Sequence, residues 1–342
     1  GLGDVYKRQE KSSEELVSLL SSSDAMQCTE DELSSTRHLA NVLFNVMRGG
    51  LFLENYNLRV DDFLSHLARA NASLVQRAEK LLEGADSDLD YTSLLERMRE
   101  EDLPDLERLA YEYLALTFSR RHGDPSRPWN KFSIDNRNED GSNKLDYQGN
   151  WRDIFQNWEA LAHSFPEFTE NMIFRFLNAS TADGYNPYKI TKDGYDWEVP
   201  EPDEPWSNIG YWGDHQIVYL LKVLELSDRF HPGALQEFLS REIFTYANVP
   251  YRIRPYHDLL EDPQNSILFD TERAKEIDAR LEKAGEDGKL LWDGGGDICR
   301  VNLTEKLLVT LLAKLSNFIP EAGIWMNTQR PEWNDANNAL VG

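Results

Sequence analysis

The chain is poor in cysteine and in positive charge, and it contains no long apolar run. Cys28 and Cys299 are its two cysteines, far apart and without metal-ligand spacing. They indicate neither a disulfide framework nor a zinc site, and they read as buried thiols. Lys and Arg number 36 against 60 Asp and Glu, a net charge of -24. Such a surface repels polyanions, so nucleic acid and anionic membranes are not expected partners. No segment reaches the roughly 18 apolar residues that a membrane-spanning helix needs, and the first thirty residues are charged rather than signal-like. What remains is a 342-residue chain, 40% hydrophobic, with enough apolar material for a soluble globular protein of one large or two ordinary domains.

Residues 1–9, GLGDVYKRQ, read as a translated adapter of the kind found at the ends of metagenomic fragments and are set aside. The native N-terminus is then out of view, and a cytoplasmic protein is the expectation. Helical periodicity dominates the rest. Phe63, Leu64, Leu67, Ala70, Leu74, Ala78 and Leu81 recur at steps of three and four, which predicts a helix burying one stripe between Val60 and Leu82. Pro104 opens a second, with Leu106, Leu109, Ala110, Tyr113 and Leu116 on one face. A third runs from Asn150, its cap, to Phe165, with Ile154, Trp158, Leu161 and Ala162 in the stripe. Asp214 caps a fourth, apolar on more than one face from Ile217 to Leu226 and therefore expected to be deeply buried. Asn302 and Glu305 match a capping box for a fifth, whose predicted inner stripe is Leu308, Leu311, Leu312, Leu315 and Ile319. No alternating strand longer than about five residues stands out, so the expected class is all-α.

Two connections, 120–149 and 179–213, far exceed the usual roughly 4 to 6 residues and are rich in Trp and Tyr, which points to function rather than disorder. EVPEPDEP, residues 198–205, reads as a solvated acidic turn. WDGGGDI, 292–298, lacks phosphate-loop spacing and reads as a flexible turn. Three segments are built alike, GNWRDIFQNW at 149–158, NIGYWGDHQ at 208–216 and PEWNDANN at 331–338. Each sets a Trp within two residues of an acid, at or just before a predicted helix start. An indole face beside carboxylates and amides suits a sugar, which offers apolar ring carbons and hydroxyls. Taken singly, Asp153 reads as a first-turn acid meeting the helix dipole, Asp214 as a cap, Trp333 as core, Asp335 as a turn residue and His215 as a structural histidine.

The order of these segments, RDIFQNW, YWGDHQ and EWND, resembles the cellobiose phosphorylase-like branch of the six-hairpin glycosidases over about residues 105–342, with the closest likeness to large uncharacterised bacterial members. The resemblance implies a partial (α/α)6 toroid with its long aromatic loops at one end. Residues 10–104 then form a helical N-terminal or linker region, and 105–342 the N-terminal part of a catalytic barrel truncated at its C-terminus. It also implies roles. Asp335 matches the general acid, Trp333 the residue beside the cleaved sugar, and Asn334 completes that motif. Arg152 and Asp153 match the segment that binds hydroxyls of the same sugar; Trp212, Asp214 and His215 match a substrate-site segment. Gly213 stands where the family has a first acid before the histidine, and the family's arginine ahead of the RD segment has no counterpart near Tyr147. No cofactor is implied, although inorganic phosphate is a co-substrate if the reaction is phosphorolysis.

The implied chemistry is inverting cleavage of an oligosaccharide or disaccharide. One carboxylic acid protonates the leaving oxygen while phosphate or water attacks the opposite face; with water, a second carboxylate about 6.5–9.5 Å away is required. Desolvation by Trp333 would keep Asp335 protonated near neutral pH, with Glu332 in reserve. Since the family continues past the Trp-Asn-Asp motif, the chain ending at residue 342 is expected to lack part of the machinery. The alternative is a non-catalytic carbohydrate-binding or scaffold protein on the same toroid. A toroid of the terpene cyclase kind would need aspartate-rich metal motifs, which the sequence does not contain.

Overall fold

The computed structural model describes residues 2–21, 29–100, 102–117, 137–140, 144–187, 189–200, 216–262, 267–316, 318–321 and 324–325. They are mostly helical. In chain order the helices are α1 (Leu2–Ser21), α2 (Glu32–Gly49), α3 (Val60–Asn71), α4 (Val75–Leu81), α5 (Tyr91–Arg99), α6 (Pro104–Glu112), α7 (Trp151–Ala162), α8 (Thr169–Asn178), α9 (Gln216–Phe230), α10 (Ala234–Phe238), α11 (Tyr256–Glu261), α12 (Thr271–Ala284) and α13 (Leu303–Ser316). Residues 2–9 are part of α1. Strands among the described residues are two or three residues long and form small ladders at the edges of the helices.

The architecture is organised around α8, all ten of whose residues are buried. Phe174 stacks between Tyr111 at 4.4 Å and Phe244 at 4.2 Å, with Phe238 edge-on at 5.3 Å. The helix packs against α6, α7 and α9, and α7 in turn packs against α2. That last contact is close because Gly49 sits on Leu161: a Cβ at Gly49 would lie 2.5 Å from the Leu161 Cβ.

The helix directions follow from side-chain pairs. Glu159 of α7 lies 3.9 Å from Lys222 of α9, and His163, just past α7, faces Phe230 at the end of α9. The pairs advance together along both chains, so α7 and α9 run parallel. Glu170, in the first turn of α8, accepts a hydrogen bond from Ser227 near the end of α9 at 2.6 Å, so α8 runs the opposite way. The first turns of α7 and α9 and the last turn of α8 therefore share one end of the bundle.

Several sequence expectations hold. In α7, Ile154, Trp158, Leu161 and Ala162 are buried, and Asn150 stands immediately before its first turn. Leu106, Leu109, Ala110, Tyr113 and Leu116 are buried as predicted, although α6 ends at Glu112 and Tyr113 turns extended. Asn302 does cap α13, accepting from the Glu305 amide at 2.9 Å.

Others are corrected. The 60–82 region is broken by a 3-10 turn at Ala72–Leu74, where Asn71 Oδ1 takes the Ser73 amide. The region from 179 is not simply a loop: Lys189–Thr191 and Tyr195–Asp196 form a hairpin on Gln148–Asn150, turned at Asp193-Gly194. The 292–298 turn is ordered rather than loose, since Asp293 Oδ1 accepts amides of Gly295 and Asp297 at 2.8 and 3.0 Å. Cys299, just beyond it, is a free thiol that is partly exposed rather than buried. Helix α9 is not buried all round; Val218 and Leu221 are about half exposed, at 47% and 55%. Helix α13 is turned over. Leu308, Leu311, Leu312 and Leu315 face outward, while Leu303, Lys306, Thr310 and Lys314 are buried. Lys306 Nζ donates to the carbonyl of Thr245 at 2.8 Å and that of Ser180 at 3.3 Å, and it lies over the Tyr246 ring at 3.8 Å. Those acceptors and the ring offset the cost of burying an amine.

The α8 packing can be tested at two points. Replacing Phe174 by Ala leaves a cavity between two stacked rings and should lower unfolding free energy by about 3–5 kcal/mol in urea titration. His231, 2.9 Å from Glu170 and 3.4 Å from Glu167, is raised to about 9, chiefly by its hydrogen bond with Glu170. Its folded pKa lies above the roughly 6.5 of an unfolded histidine. The ion pair's stabilisation is thus complete below about pH 6.5 and is lost as pH rises through about 9. Urea titrations at pH 6 and pH 9.5 should differ less in His231→Gln than in the parent.

Candidate functional site

Asp153 sits in the first turn of α7, half-buried, with Arg152 in the same turn. The placement has a local cause. Strand Gln148–Asn150 is paired with Lys189–Thr191 and leads directly into α7, and the Trp151 indole anchors on Phe176 of α8 at 4.3 Å and Phe155 at 5.3 Å. Behind it, Tyr147 is fully buried with its ring edge against Trp158 at 5.6 Å. Trp212, Asp214, His215, Trp333, Asn334 and Asp335 lie outside the described residues. Helix α9, which the 212–215 segment immediately precedes in sequence, starts at the same end as α7.

Sequence reasoning missed a second constellation, buried between α3, α6, α8 and the 3-10 turn Gly285–Lys289. Arg108 Nη2 donates to both oxygens of Asp287 at 2.8 Å, its Nη1 reaches Glu112 at 3.1 Å and its Nε reaches Asp105 at 3.4 Å. Asn178 donates to Glu112 at 2.6 Å and Asn71 to Asp287 at 2.9 Å. Arg300 takes Asp105 at 2.9 Å. Glu112 and Asp287 are left to share one cation, and the Asp287 carboxyl is pushed up to about 6 by burial, with Glu112 adding to it and Arg108 opposing. The signal was present in ERLAYE, residues 107–112, where three charges interrupt an apolar helix.

Perturbed carboxylates beside a cavity are ordinarily a reason to suspect a site. Here the cavity, lined by Arg108, Glu112, Arg175, Asp193, Glu286 and Asp287 among others, has a volume of about 30 Å³. That is room for water and not for a sugar ring. The cluster ties segments together rather than holding a substrate.

Residues 52–115 match a family model described as glycoside hydrolase family 149 insertion domain 1. No curated protein matches the chain. The match supports a protein of the glycoside hydrolase or phosphorylase type. Its span has the geometry of an inserted unit, because its two ends are paired as a ladder, Phe52 with Leu116 and Leu51 with Thr117. It is nonetheless joined to the rest of the chain by polar contacts, several of them buried. Besides the Arg108 cluster, Lys192 reaches Asp62 at 2.8 Å, Arg69 pairs with Asp193 at 2.8 Å, Arg241 donates to Glu107 at 3.1 Å, and the Tyr91 hydroxyl donates to Asn171.

The matched segment should therefore not unfold by itself. Arg108→Met, which strands buried carboxylates, is expected to cost about 3–5 kcal/mol and to shift one common transition. Fluorescence and far-UV circular dichroism should report coincident midpoints; separate ones would show an independent unit.

Proposed function

We propose that the protein is a carbohydrate-active enzyme of the cellobiose phosphorylase-like kind, cleaving glycosidic bonds with inversion by phosphorolysis or hydrolysis. The observation that carries the reading is the glycoside hydrolase family 149 match over residues 52–115. Two further facts support it: the RDIFQNW, YWGDHQ and EWND segments, and the common end at which α7 and α9 begin.

On this reading residues 105–342 form the first part of an (α/α)6 catalytic barrel, and the protein works in the cytoplasm. Asp335 is the general acid, protonating the leaving oxygen while phosphate or water attacks the opposite face of the sugar. Trp333 packs against the sugar and limits water around the acid, which favours its protonated form. Asn334 supplies an amide to the same ring. Asp153 and Arg152 bind hydroxyls from the first turn of α7, and Trp212, Asp214 and His215 complete the substrate site from the segment before α9.

The test uses the full-length gene product against a panel of disaccharides and short oligosaccharides, with and without inorganic phosphate. Sugar 1-phosphate released only with phosphate would identify phosphorolysis, and free sugar hydrolysis. Asp335→Asn should lower kcat by at least about 10²-fold, the usual contribution of a positioned general acid. Sugar binding without turnover, unchanged in Asp335→Asn, would establish a carbohydrate-binding protein instead.

A further inference from the structure

We infer that Arg175 is a positioning residue for the proposed carbohydrate site: from α8 it holds, through the Tyr147 hydroxyl, the corner of chain that presents Asp153. The inference rests on the reading of Asp153 given above.

Arg175 is 4% exposed. A buried guanidinium is costly unless its donors are used, and no carboxylate among the described residues hydrogen-bonds it. Its Nη2 instead donates to the Tyr147 hydroxyl at 3.0 Å and to the Lys192 carbonyl. Its Cζ lies 5.9 Å from the centre of the Tyr147 ring, and its Nε has no hydrogen-bond partner among the described residues. Both acceptors belong to one corner. Tyr147 precedes the strand that runs into α7; Lys192 follows the strand paired with it, and the Lys192 amide donates back to the Tyr147 carbonyl at 3.0 Å. The next residue of α8, Phe176, receives the Trp151 indole. Two successive α8 side chains thus fix Tyr147 and Trp151, the residues on either side of the strand that turns into α7, and Asp153 follows in the same helical turn as Trp151. Without the tie, the Gln148–Asn150 strand keeps its ladder and the Trp151–Phe176 contact but loses the polar anchor of its Tyr147 end to the buried helix.

The variant that isolates the tie is Tyr147→Phe, which keeps the ring packing on Trp158 and removes only the acceptor. Amide exchange followed by mass spectrometry should rise over 147–153 and stay unchanged in α8. With a substrate found in the sugar screen, kcat/KM should fall about tenfold or more, mainly through KM, because small displacements of binding groups carry large kinetic costs. In an Asp153→Asn background the same change should have no further effect, the mark of a residue acting through another. Arg175→Met, which also removes the contact to the Lys192 carbonyl, should lose at least as much as Tyr147→Phe, and Arg175→Lys should recover part of the loss. Unchanged exchange at 147–153, or a Tyr147→Phe loss that persists in full beside Asp153→Asn, overturns the inference. A parent protein that neither turns over nor binds a sugar defeats the functional reading on its own, and the exchange result then still decides whether Arg175 holds the corner.

Discussion

The complete burial of α8 is the constraint on which the remaining packing depends. Half of its ten residues carry polar side chains, Thr169, Glu170, Asn171, Arg175 and Asn178, and a buried polar group without a partner costs roughly 1–3 kcal/mol. Thr169 is satisfied locally, donating to the Pro166 carbonyl; the other four find partners supplied by other parts of the chain, and those partners fix the neighbours. Glu170 is met by Ser227 and His231, which sets the end of α9. Asn171 donates to the Tyr113 carbonyl at 2.9 Å, which holds the chain where α6 ends. Arg175 takes Tyr147 and Lys192. Asn178 donates to Glu112 and accepts the Thr245 amide at 3.0 Å, joining α6 to the ladder Phe244–Thr245. The apolar side chains of α8 make it central; its polar ones decide what lies around it.

The acidic composition is accommodated by the same means. A chain with 24 more acids than bases cannot match every carboxylate to its own cation, and around Arg108 it does not. Three carboxylates approach one guanidinium and Arg300 relieves Asp105; burial, with Glu112 adding to it, then raises the proton affinity of Asp287. Amides of Asn71 and Asn178 supply donors that carry no charge. Buried ion pairs are weak evidence of net stability but are expensive to break. This arrangement accordingly makes the 52–115 segment hard to remove even though its paired ends would let it be inserted.

What could be read from the sequence follows the same physics. Helix α7 was legible because one face is buried and its apolar residues mark that face. Helix α8 was not: a helix buried all round shows no contrast between faces, so TENMIFRFLN has no readable stripe. In α13 the start was legible from the Asn302 cap but the inward face was not, since leucine spacing locates an apolar stripe without saying what covers it. The inward side instead rests on Lys306, tolerable only because the Ser180 and Thr245 carbonyls are in place. The hairpin at 189–196 is too short for a period-two signal, and its Asp-Gly turn was the one available clue. The Arg108 cluster joins residues 179 apart in sequence, a pairing that no local pattern encodes. For the candidate site, residue types and order suggested a sugar pocket, and Asp153 lies in the helix turn expected of it.

That turn bears on the division of labour in the proposed site. A carboxylate in the first turn of α7 meets the positive end of the helix dipole, which favours its charged form. Such a group is suited to accepting hydrogen bonds from sugar hydroxyls and poorly suited to delivering a proton. The acid of an inverting reaction needs the opposite environment, desolvated and beside an apolar wall, so that it stays protonated. In the proposed site that role falls to Asp335, two residues from Trp333 in sequence, whereas Asp287, the carboxyl raised most clearly by burial, fits it electrostatically but faces a cavity that admits only water. Proton affinity alone therefore does not identify the acid. Access for a ring-sized substrate is the second requirement, and the Asp287 cavity does not meet it.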